Sequence, residues 1–100
     1  MAQLTIVYWR DIPAQVIVKA GRKSAKRELS LRFTEAIDMC AMRVGAADTD
    51  AYLAEWRRGE PVEVGDDLEA EADRAMAEIE ADFPQPALVA LVKADGRKPA

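Results

Sequence analysis

The sequence predicts an α+β fold: a small two-layer sandwich in the order β-β-α-β-α, with a three- or four-stranded, largely antiparallel sheet and two helices on one face. Three observations carry this. Apolar residues alternate along residues 3–9 and resume as a β-branched run over residues 14–19, the pattern of strands. They recur at the helical period over residues 30–44 and 66–83, the pattern of amphipathic helices. Glycine and proline fall between these runs, where they punctuate structure.

In the first strand Leu4, Ile6 and Tyr8 share one face and Thr5, Val7 and Trp9 the other. Residues 10–13 then break the pattern, because Pro13 cannot donate to a ladder and restricts its predecessor. The second strand follows to Lys19, so the two form a hairpin with a loop longer than the tightest two-residue kind. After Gly21, the clustered cations Arg22, Lys23, Lys26 and Arg27 are expected to stay exposed as a basic loop, since unpaired charges resist burial.

The first helix buries Phe33, Ile37, Cys40, Ala41 and Val44. Ser30 can cap its start, and Gly45 can end it by entering the left-handed region. Residues 51–57 alternate again and read as a third strand, with Tyr52, Ala54 and Trp56 on one side; residues 61–65 read as a turn or extended link. A second helix begins at Asp66 or Asp67, where Asp66 and Glu69 have capping-box spacing, and carries Leu68, Ala72, Met76, Ile79 and Phe83 inward. Pro84 and Pro86 stop it. Residues 87–92 are an apolar run too short to classify, an edge strand or a segment that packs on a partner. One domain over residues 1–92 with a frayed tail over 93–100 is the expected organisation.

Composition excludes several chemistries. The chain holds one cysteine and no histidine, which removes intrachain disulfides, histidine acid–base catalysis and nearly every usual zinc site. No catalytic residue, metal site or cofactor is therefore expected. The first residues lack a basic segment followed by a signal-length apolar core, and no apolar run approaches the roughly 18 residues that span a bilayer; the reading is a cytoplasmic protein without membrane contact. Net charge is −4, but it is uneven: the first half of the chain is basic and the second acidic, with eight acids and only Arg74 opposing them over residues 66–82. An acidic chain without aromatics interleaved in its basic segment does not suit nucleic acid.

The candidate binding residues are Trp9, Arg10, Asp11 and Gln15 around the first turn, with Trp56, Arg57 and Arg58. Aromatics and arginines dominate interface energies. Each also has a plainer use: Trp9 and Trp56 suit a core, Arg10 and Asp11 suit local pairing at a turn, and the alternating directions of Arg57 and Arg58 argue against a joint grip. Cys40 lies on an apolar stripe and reads as a packed side chain.

The runs over residues 8–16 (YWRDIPAQV) and 51–58 (AYLAEWRR) resemble the small bacterial virulence factor family, the resemblance covering about residues 1–80. It implies no catalytic residues. Similar domains form part of the conserved virulence factor C proteins, and similar proteins accompany tetrahydrofolate and corrinoid methyl-transfer enzymes. The resemblance thus implies an accessory partner of metabolic enzymes. Two functions are expected: a non-catalytic accessory domain that docks a protein partner through an open sheet face or edge strand, and, ranked below it, a site for a small anionic, folate-like metabolite whose missing wall a homo-oligomer could supply.

Overall fold

Among the described residues, five strands and four helices follow one another in the order β1 (Ala2–Trp9), β2 (Ile12–Ala20), β3 (Lys23–Glu28), α1 (Leu31–Arg43), α2 (Thr49–Ala54), β4 (Trp56–Arg58), β5 (Val62–Val64), α3 (Leu68–Asp82) and α4 (Gln85–Lys93). A computed structural model describes residues 2–46 and 48–97. The fold is α+β, with more elements than expected. The sheet runs β3-β2-β1-β4, and β5 also pairs with β1. β4 lies against the end of β1 near Trp9 and β5 against its beginning, so the two share one edge, interrupted at residues 59–61. Every pairing is antiparallel.

The first hairpin is tighter than the sequence suggests. Trp9 pairs with Ile12, leaving only Arg10 and Asp11 in the turn, with Arg10 at φ 54°. Pro13 is tolerated inside β2 because the register shifts beside it, between Val7 and Tyr8; a bulge is where a strand can admit a proline. Ala14, the extra residue, accepts a backbone hydrogen bond from Leu29 N at 3.2 Å.

The basic segment after Gly21 is a strand, not a loop. It forms the sheet edge β3, where exposed cations discourage further strand pairing. Alternation buries Ala25 and turns Arg27 toward α3, where it pairs with Glu69 and Asp73. Because Arg27 pairs with Val16 across the sheet, α3 covers the face of Leu4, Ile6, Val16 and Val18.

α1 buries Phe33, Ile37, Cys40 and Ala41 of the expected stripe; Val44, expected with them, is the C-cap and only half-buried. Its C-terminus is a Schellman motif, with Gly45 at φ 74°, Ala46 N bonded to Ala41 O and Gly45 N to Met42 O. Ser30 stands at the N-cap but makes no side-chain cap; its hydroxyl and amide both donate to Glu80 on α3. α3 is capped by Asp67, whose carboxylate accepts from Ala70 N.

Two segments differ outright from expectation. Most of the expected third strand is α2, started by Asp48, whose side chain accepts from Ala51 N. Tyr52 and Trp56 are four residues apart, a spacing that a strand face and a helix face share, and the cap decides for helix. Residues 87–92 belong to α4, with Pro86 in its first turn where no N–H is needed; Leu88, Leu91 and Val92 are buried. α4 packs along α1. Of residues 93–100, expected to fray, those to Arg97 are described: Asp95 O and Gly96 O accept bonds from Arg10 and from Asp11 N. Residues 98–100 lie outside the described residues.

Candidate functional site

The turn that the sequence marks as its most conspicuous polar motif is a clasp. Arg10 N donates to Glu55 O, its Nε reaches Glu55 Oε2 at 2.6 Å, and its Nη1 donates to Asp95 O at 2.7 Å. Asp11 N donates to Gly96 O at 2.7 Å. Arg57 closes the corner from β4, its Nε donating to Arg10 O and its Nη2 to Asp11 Oδ1 at 2.9 Å. Arg97 adds a second cation to Glu55, and Arg43 pairs with Asp95. The β1–β2 turn, the end of α2 and the chain after α4 are thereby tied at one point. Gly96 makes the approach possible: at φ 77°, a Cβ there would lie 2.9 Å from Cys40 Sγ and 3.1 Å from Arg10 Cδ.

Trp9 lies beneath this clasp and is fully buried. Its Nε1 donates to Tyr52 O at 2.9 Å, and its ring lies 5.8 Å from that of Tyr52. Tyr52 in turn meets Trp56 edge-on at 5.8 Å. Trp9 therefore presents no surface to a partner, and Arg10, packed over its ring, points its guanidinium inward.

The remaining candidates separate. Gln15 is not part of the turn; the bulge carries it to a cleft of about 240 Å³ shared with Trp56, Ala14, Glu28, Leu29 and Thr34. Arg57 lies over the Tyr8 ring at 4.5 Å. Arg58, next along β4, takes the opposite sheet face, is exposed, and forms no ion pair among the described residues. The two arginines share no ligand.

The apolar feature the sequence reading missed is on the helices. Leu31, Met39 and Met42 of α1 are 69 %, 58 % and 74 % exposed, and Val89 of α4 is 38 % exposed. At 100° per residue, Leu31, Met39 and Met42 fall within one narrow arc opposite the buried stripe. Between α1 and α4 runs a groove of about 260 Å³, floored by Ala36, Leu88 and Val92 and walled by Met39 and Val89. Arg43 and Lys93 stand at its end near the clasp and Arg32 at the other. The signal was present in the chain: Leu31, Met39 and Met42 are the apolar residues that the buried stripe of α1 leaves over.

Cys40 is buried, and burial raises its thiol pKa against the opposing pull of Arg10, so the nucleophilic thiolate is disfavoured. Among the described residues no cluster of histidine, cysteine or carboxylate ligands could hold a metal ion, and no helix there is long and apolar enough to cross a membrane.

Residues 7–92 match the model of a protein family described as "Virulence factor". No curated protein and no solved structure matches the chain. With the match spanning most of its length, the chain belongs to that family.

Proposed function

Starting from membership in the virulence factor family, we propose that the chain is a non-catalytic accessory domain that binds a protein partner by seating one of the partner's helices in the α1–α4 groove. The observation that carries this is the groove walled by the exposed Met39 and Val89, with the exposed Leu31 and Met42 on the outer arc of the same helix α1. Contiguous exposed apolar surface on a small chain marks an interaction site, and an amphipathic helix laid into a groove is a standard use of such surface. Methionine suits it, because its flexible thioether fills irregular contacts. The partner class is a metabolic enzyme of tetrahydrofolate or corrinoid one-carbon chemistry, as the family resemblance implies.

The test is affinity capture from a host lysate with the wild type and with Met39→Glu/Met42→Glu, both confirmed as folded by circular dichroism. An enzyme retained by the first and lost by the second supports the groove. Identical capture by both, or none by either, overturns it.

The cleft beside Trp56 and Gln15 sustains a second reading, a site for a small anionic metabolite. It is weaker, because of the three arginines that could hold a carboxylate, Arg10, Arg57 and Arg58, the first two are engaged inside the clasp, and about 240 Å³ falls below the roughly 300–1,000 Å³ of most ligand pockets.

A further inference from the structure

The sheet face opposite α3 offers a different surface, independent of the groove. Register fixes its rows. Arg58, Val7, Gln15 and Glu28 form one; Thr5, Ile17 and Lys26 the next; Glu63, Gln3, Lys19 and Ser24 the third. The middle is Thr5 and Val7, half-buried, with Ile17 between the flanking side chains and only 9 % exposed, and the charged rim is exposed. Arg58 and Glu63 occupy the two ends of one edge with opposite charge, and neither forms an ion pair among the described residues.

We propose that this face binds a second copy of the chain, face to face, about a two-fold axis lying in the interface plane and crossing the strands through the Thr5–Ile17 row. That rotation exchanges the first and third rows. Arg58 then stands over Glu63 of the second copy and Glu63 over its Arg58; Thr5 and Ile17 meet their own counterparts, and Glu28 meets Ser24. This is the self-complementarity that a two-fold interface requires. Lys26 meets its counterpart at the open rim, where each exposed ammonium can turn toward Glu28, two residues along the same face. The axis also sends α2, which rises over Trp9 at one end of the face, past the far end of the other copy.

Edge-to-edge pairing is a poorer route to a dimer. The central antiparallel registers of β3 with itself oppose Lys26 to Lys26, Lys23 to Arg27, or Arg27 to Arg27, and like charges placed opposite one another destabilise a ladder. The other edge is broken between β4 and β5.

A face four strands wide and about five residues long offers roughly 300–400 Å² per copy, which places the dimer in the weak class. Sedimentation equilibrium is therefore run from about 10 µM to about 1 mM at low salt, where ion pairs are least screened. The wild type should rise toward twice the 11.0 kDa chain mass. Arg58→Glu and Glu63→Arg should each weaken association at least about tenfold, and the charge-swapped double variant should regain wild-type association, because its pairs are restored with reversed polarity. Both positions are exposed, and circular dichroism establishes that all variants are folded. A wild type that stays monomeric throughout, an Arg58→Glu variant that dimerises normally, or a double variant that fails to recover overturns the proposal.

Discussion

The hairpin corner and the α1–α4 groove invert one another. At the corner, polar residues that look made for a ligand are spent inside the molecule: Arg10, Asp11 and Arg57 bond Glu55, Gly96 and each other. At the groove and on the outer arc of α1 beside it, apolar residues that look made for a core stand in water: Met39 and Met42 are more than half exposed. The difference teaches that residue type alone misplaces function in a chain this short. Turn, helix and C-terminal segment must converge somewhere, and the charged motif serves that convergence. What is left for a partner is the surface that internal packing did not consume.

If the corner is structural, its variants should change stability, and Trp9→Ala should cost most. Truncating a fully buried indole costs about 3–5 kcal/mol, here with the loss of the bond to Tyr52 O, which for a small domain is a large part of its total stability. Urea denaturation would show a lower midpoint or outright unfolding. A loss below about 1 kcal/mol would mean that the indole is not the keystone of this corner. Arg10→Ala should follow at about 2 kcal/mol, since it removes charge-assisted bonds and leaves the Glu55 carboxylate and the Asp95 carbonyl short of a donor. A double-mutant cycle with Glu55→Ala should return a coupling of about 1 kcal/mol, the mark of a partly exposed pair.

The corner also shows how far the sequence could be read. The strands of the first hairpin and the buried stripe of α1 were legible from their periods, and the start of α3 from the Asp66–Asp67 pair, of which Asp67, not Asp66, is the cap. β3 was not, because four cations suggest a loop until a neighbouring strand and the acids of α3 are known to receive Arg27. α2 was misread because Tyr52 and Trp56 fit both periods, and α4 because two prolines conceal a helix that begins on them. Within the candidate site, the mutual pairing of Arg10 with Glu55, 45 residues apart, has no local signature at all.

Cys40 tests the seam between corner and helices. Its thiol pKa is raised by burial, so the folded chain holds the proton where the unfolded chain has released it. The contribution to stability is complete below the range in which an unfolded thiol titrates and is lost as pH rises through the folded value. Urea midpoints should therefore fall on going alkaline, and more gently in Cys40→Ala; Tyr52, raised by burial and by Asp38, keeps part of the slope. Equal slopes in both proteins would detach Cys40 from the alkaline response.

The smallest effect on stability is expected in the groove, and that smallness carries the comparison. Met39→Glu/Met42→Glu exchanges two side chains that are 58 % and 74 % exposed, so little packing is lost, and surface changes of this kind usually stay within about 0.5 kcal/mol. On α1 the added carboxylates face Glu35 and Asp38, one turn before each, and one another, against Arg43 one turn after residue 39, so a small net repulsion of a few tenths of a kcal/mol is included in that range. An unchanged urea midpoint together with lost partner capture would separate binding from folding in the opposite sense to Trp9→Ala. A fall of several kcal/mol would instead show that the methionines belong to the core, and the groove would then have no more claim to function than the corner does.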